Sequence, residues 1–220
     1  NVADVLVGYN ENPRNLAGAI EIFASPQTWH IYVGQPDLPV GLRLVLGGQT
    51  LARAGFYFMC GMDLPPMPPV PDRIAQALNV TPLRDVTNLS RGDGFAMGTL
   101  IEIPPLDIRL MPFYARLELM FGFDLSVKKY TQRCEGMAAG ETMGENGWYA
   151  RGQIYGFFSA SIGLYVDLFF VKGEFEVLGV QMAAFLQGGF PNPNWMQGAI
   201  AGRYNILGGA VQGNCHFEFT

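Results

Sequence analysis

Between residues 113 and 128 the chain alternates with few breaks. Phe113, Ala115, Leu117, Leu119, Phe121, Phe123, Leu125 and Val127 are apolar, and Tyr114, Arg116, Glu118, Met120, Gly122, Asp124, Ser126 and Lys128 fall between them. Successive side chains of a β-strand point to opposite faces, so a period of two predicts one strand across the whole run. At about 3.3 Å per residue that strand is roughly 50 Å long, far beyond the usual length of about 5 or 6 residues. An extended sheet is expected rather than a compact one.

A second run places Ile154, Phe158, Ile162, Leu164, Val166, Leu168 and Phe170 on one face and Gln153, Tyr155, Phe157, Ser159, Ser161, Tyr165 and Asp167 on the other. Lys172-Gly173 is a candidate two-residue reversal, with the next strand starting at Glu174. There Phe175 and Val177 share one parity, whereas Val180, Met182, Ala184 and Leu186 share the other. One extra residue repairs the phase, which predicts a β-bulge near Leu178-Gly179. The glycines and prolines of 188–198 mark a connection. The phase slips again at Gly208-Gly209, beyond which Val211, Cys215, Phe217 and Phe219 alternate with Gln212, Asn214, His216 and Glu218. With the apolar set assigned to the core, Cys215 is expected inside and His216 outside. As strand neighbours on opposite faces they form no thiolate–imidazole dyad.

The N-terminal half is more broken. Short strands are predicted over 29–33, 40–46 and 52–60, and strand character returns over 95–103. Between them Pro65, Pro66, Pro68 and Pro69 impose a stiff crossover over 64–71, and Pro71-Asp72 opens one short helix near 71–78. The predicted fold is all-β: a large twisted antiparallel sheet or a β-sandwich with a long C-terminal meander, as a single domain over 1–220. Beginning at Asn1 and ending inside an alternating run, the chain reads as a mature or excised piece of a longer polypeptide.

Composition narrows the function. Of 220 residues 49% are hydrophobic and only 15% charged, against roughly 25% charged in ordinary soluble domains, with 28 glycines and 13% aromatics. A formal charge of −5 lacks the basic footprint of a nucleic-acid binder. No apolar run is long enough for a transmembrane helix. Three cysteines permit one internal disulfide. Cys134, in a polar glycine-flanked loop, is its expected member, paired with Cys60 or Cys215.

Candidate chemistry is sparse. His30 and His216 are the two histidines, and neither zinc-type spacing nor a nucleophile motif occurs, so no metal and no cofactor is expected. Asp63, Asp72, Asp93, Glu102 and Asp107 could supply a carboxylate pair for glycan hydrolysis, if two of them met. Arg91-Gly92-Asp93 is an adhesion-type tripeptide on a predicted exposed turn, and Asn79 and Asn88 fit the N-glycosylation pattern. "FYARLELMFGF" and "WYARGQIYGFF" read as two adjacent strands built alike.

The stretches "GENGWYARGQIYGFF" and "PNPNWMQGAIAGRYNILGGAVQGNCHFEF" resemble a domain of very large, uncharacterised exported and surface proteins of Bacteroidota, in which such glycine-aromatic strands recur; the resemblance extends over about residues 29–220. It implies a secreted or cell-surface, modular, non-catalytic protein and assigns no functional residue. The expectation is a structural or adhesive module, able to form filaments, with protein partners or self-association. The alternative is a β protein that binds lipid or another apolar ligand, or an outer-membrane barrel, motivated by the aromatics Tyr155, Phe157, Tyr165 and Phe169 on the nominally polar face. A glycan-active enzyme is the third.

Overall fold

A computed structural model of the protein describes residues 2–8, 16–46, 48–79, 92–130, 142–168 and 171–220. Among these residues the strands are β1 Val2–Gly8, β2 Leu16–Ala24, β3 Trp29–Val33, β4 Val40–Leu46, β5 Gln49–Leu64, β6 Gly92–Leu110, β7 Phe113–Lys129, β8 Trp148–Leu168, β9 Val171–Phe190, β10 Trp195–Ile206 and β11 Val211–Phe219, with one α-helix, α1 Asp72–Leu78. All of them belong to one antiparallel sheet, ten in the order β1-β2-β3-β5-β6-β7-β8-β9-β10-β11 and β4 off this path, paired with β5. Along one edge of β5, β3 pairs with Phe58–Gly61 and β4 with Gln49–Phe56. The sheet is not closed into a barrel: β1 and β11 are its edges. The all-β class and the short helix are as expected, and of the two layouts considered the single sheet is the one present.

The long runs fold as their alternation predicts, since β7 spans 17 residues and β8 21. The phase change in β9 is real. Ile162 pairs with Leu178 and Gly163 with Glu176, leaving Val177 as the extra residue one position before the expected bulge. Phe175 and Phe185 consequently lie on opposite faces. Three boundaries differ from expectation. Lys172 and Gly173 are paired within β9, so the reversal falls earlier, and Gly188 and Gly189 also stay in the ladder, which confines the connection to 191–194. The slip at Gly208-Gly209 is a 3-10 turn, Leu207–Gly209, where β10 reverses into β11.

The largest correction concerns which face is covered. Tyr57, Tyr114, Tyr155, Phe157 and Phe185 are buried together with Glu102, Asp124, Ser126, Lys128, Gln153, Gln187 and Gln197, all on the face assigned to the surface by polarity. The apolar alternates of β7, such as Phe113, Phe121 and Phe123, are exposed. Cys215, expected in the core, is exposed on the apolar face of edge strand β11, and Cys60 is half-buried. Periodicity separates two faces but does not say what lies over either. Here the segment 65–79 lies over the mixed face. Pro71 precedes the helix with φ −53°, a value its ring imposes. Asn79 ends the helix in the left-handed conformation, its N–H turned to the Ala75 and Gln76 carbonyls. Ile74 and Leu78 then pack into Tyr155, Phe157, Ala183, Phe185 and Ala199. A smaller cluster, Tyr32, Tyr57, Met59, Leu64 and Ala96, lies under the start of the crossover.

Cross-strand glycines make room for the buried tyrosines. A Cβ at Gly98 would overlap the Tyr57 ring and the Asp124 carboxylate, one at Gly122 the Tyr155 ring, and one at Gly163 the Tyr114 ring. Each ring lies against the cross-strand glycine, an arrangement that compensates the glycine's missing side-chain contacts. Gly98→Val should therefore destabilise the protein by about 1–3 kcal/mol through overpacking. Gly173→Ala, where nothing lies within 4 Å of the added atom, should leave stability nearly unchanged; urea denaturation of the two variants checks the contrast.

Candidate apolar-ligand face

The face opposite the crossover is left uncovered by the described residues, and its side chains form continuous cross-strand rows. Phe58, Met97, Leu125 and Gly152 stand in one row, and Leu42, Ala54, Ile101, Phe121, Gly156, Ala184, Ile200 and Phe217 in another. Several are far out of any core: Leu42 is 76% exposed, Phe217 64% and Met182 54%. From β6 to β10 the charged residues on this face, among those described, are Asp93 and Lys129, which pair in register with each other and with Trp148 at one end. Charge has been sorted to the covered face and to one rim.

At that rim the apolar face is hollow. Trp29 of β3, Phe58 and Cys60 of β5, Phe95 and Met97 of β6 and Trp148 of β8 surround a cavity of about 760 Å³, with Asp93 at its border. Strand order explains the convergence, because β3, β5, β6, β7 and β8 are successive neighbours and residues of equal parity line up across them. The wall is hydrocarbon, aromatic ring and sulfur. Such a wall can take an apolar chain, and a polar group could remain at Asp93 and Lys129. The size lies within the range of about 300–1,000 Å³ typical of ligand pockets.

Polar chemistry on the other face is engaged in holding the crossover. Tyr57 Oη donates to Asp124 Oδ1 at 2.7 Å, and Gln153 Nε2 donates to Asp124 Oδ2 at 2.8 Å and to the Pro68 carbonyl at 2.9 Å. Lys128 Nζ donates to the Leu64 and Pro65 carbonyls at 3.2 and 2.6 Å. Consecutive prolines offer no N–H donors to the carbonyls around them, so sheet side chains satisfy those carbonyls. Arg73 of α1 forks onto Glu118 at 3.1 and 2.7 Å and lies over the Phe157 ring. Burial pushes the Asp124 carboxyl above its ordinary range, opposed in part by hydrogen bonds from Gln153, Tyr57 and Tyr155. The Tyr57 and Tyr155 phenols are pushed up as well, chiefly by burial and then by the Asp124 charge.

The residues singled out in the sequence are mostly scattered. Arg91 lies outside the described residues; Gly92 and Asp93 open β6, and Asp93 stands at the rim of the apolar cavity. Cys134 also lies outside them, while Cys60 and Cys215 are free thiols. Of the candidate carboxylates, Glu102 is held by Arg53 at 2.6 and 2.8 Å. Asp107 joins Arg109, Arg116 and Glu174 in an exposed charge cluster, with Arg109 Nη2 at 2.9 Å. Asp72 lies in the first turn of α1 and Asp63 belongs to β5. His30 contacts Glu21 at 2.8 Å and stacks on Phe23 and Tyr32. His216 contacts Glu218 at 3.0 Å. Among the described residues no group of three His, Cys, Asp or Glu side chains could hold a metal ion. Trp29, Phe95, Met97 and Trp148 were missed as site residues, though the low charge and high aromatic content pointed their way. No protein family matches the chain, and no curated protein or solved structure is detectably similar to it.

Because the folded pKa of Asp124 is raised, its contribution to stability is present in full below the unfolded value near 4 and is lost as pH rises through the folded value. Asp124→Asn should abolish that part of the decline. Thermal melts of both proteins between about pH 4 and 7 check it: the two curves of melting temperature against pH should converge at the acid end and separate as pH rises.

Proposed function

We propose that this protein binds the acyl chain of a lipid or a similar long apolar ligand on its uncovered sheet face, with the tryptophan-rimmed cavity as the anchoring point. The observation that carries the reading is the inverted distribution of side chains: carboxylates, a lysine and glutamines are buried under the crossover while phenylalanines, leucines and isoleucines face outward. Soluble monomers rarely expose contiguous apolar patches beyond about 300–600 Å² unless something covers them. Each methylene removed from water is worth about 0.8 kcal/mol, so a chain laid along such a face binds without any hydrogen bond.

Strand length argues for a ligand-bearing wall over a barrel that spans a bilayer. The 21 residues of β8 extend about 70 Å at 3.3 Å each, and at a tilt of about 45° they would stand roughly 50 Å high, well over a hydrocarbon core of about 30 Å. A membrane barrel also has to close, and this sheet is open. A structural or adhesive module is the reading in which another protein surface, including a second copy, covers the same face.

The test is uptake of a fluorescent polyene fatty acid together with alkylation of the two described thiols. The protein should take up the fatty acid, and saturation should protect Cys60, inside the cavity, while leaving Cys215 reactive. Met97→Asp should weaken uptake by about tenfold or more, since a buried carboxylate is costly against an acyl chain. Protein that ignores the fatty acid but associates with itself, with Met97→Asp or Phe121→Asp restoring the monomer, would replace this reading with the structural one.

A further inference from the structure

The covered face holds a second, chemically opposite feature. Beyond the end of α1, toward β11, the same face is concave among the described residues. Two adjoining cavities of about 750 and 450 Å³ share Gln181, Arg203 and Asn214 in their floor. With Ser159 these three form one cross-strand row: Ser159 pairs in register with Gln181, Gln181 with Arg203 and Arg203 with Asn214. Four strands thus present a hydroxyl, an amide, a guanidinium and a second amide side by side.

This row differs from the polar groups under the crossover. There Tyr57, Asp124 and Gln153 bond to one another and to Pro68. On the same face Arg53, Arg73, Arg109 and Arg116 each hold a carboxylate. The side chain of Arg203, exposed in its concavity, has no hydrogen-bond or ion-pair partner among the described residues, nor have the side chains of Ser159, Gln181 and Asn214. Glu176 borders the larger cavity and accepts from Asn205 Nδ2 at 2.9 Å, whereas Asn205 Oδ1 is buried without a partner.

We infer that this concavity binds an acidic sugar of the uronate type, its carboxylate on the Arg203 guanidinium and its hydroxyls on the Gln181, Asn214 and Ser159 side chains. A guanidinium matches a carboxylate in bidentate geometry. Amides and hydroxyls both donate and accept, as ring hydroxyls require. Glu176 fixes the orientation, because it repels the ligand's carboxylate and accepts from its hydroxyls. The larger cavity has room for one or two sugar rings. The site is on the face opposite the apolar cavity and is independent of what that cavity binds.

Titration calorimetry on the full chain with glucuronate, glucose and inorganic phosphate tests the assignment. Glucuronate should bind and glucose should bind at least about tenfold more weakly, the equivalent of about 1.4 kcal/mol for the lost charged contact. Arg203→Gln should cost a similar factor for glucuronate with an unchanged melting temperature. Asn214→Ala, on the exposed edge strand, should lower affinity by a smaller factor. Equal affinity for phosphate and glucuronate, absence of glucuronate binding, or full binding by both variants would each overturn the inference.

Discussion

A stretch of chain that cannot make a strand holds the rest in place. The prolines of 65–71 have carbonyls to satisfy and no N–H groups to offer a ladder, so the segment docks on side chains instead of joining the sheet. Lys128, Gln153 and, through Asp124, Tyr57 provide the partners. Those groups are costly to bury alone and become acceptable only as a connected set. The helix that follows adds apolar area through Ile74 and Leu78. Without this cover the face would be a wet, half-polar surface and the sheet would have no core on either side.

Cover on one face leaves the other free to be apolar over its whole length. In an ordinary soluble domain the hydrophobic alternates would be spent on the core. Here the core is built from tyrosines laid over glycines, from glutamines and from one short helix, so the phenylalanine and leucine rows have no partner layer among the described residues. Sorting charge onto the covered face makes the opposite wall suitable for hydrocarbon. The same covered face still has room at its β10–β11 end for a polar ligand.

Strand positions were legible because the side-chain period is two and few residues break it. β7, the helix, the bulge near Val177 and the phase slip at Gly208 follow from parity and from proline and glycine chemistry, whereas in the structure the slip is a reversal between two strands. The assignment of faces was not legible. Polarity alone put Cys215 inside and Tyr155 outside, the reverse of what occurs. The missing information is tertiary: only docking of the 65–79 segment decides which face is dry, and that depends on contacts such as Gln153 with Pro68, 85 residues apart. Composition hinted at an apolar site but could not single out the cavity residues, since Trp29 and Trp148 line one cavity only through the register of four ladders.

From β5 onward each strand pairs with the next in sequence, and cross-links between distant strands come chiefly from the docked segment. Mechanically this is a ribbon clamped across its middle. Opening should start at the margins, where β11 has every ladder bond on one side and no cover from the described residues, and should stall on reaching the strands that the helix spans. Amide protons should accordingly exchange with solvent fast in β11 and slowest in β8 and β9. Protection would then rise in steps across the ribbon, so the two ends of the sheet can loosen, exchange partners or bend while the clamped middle keeps its shape.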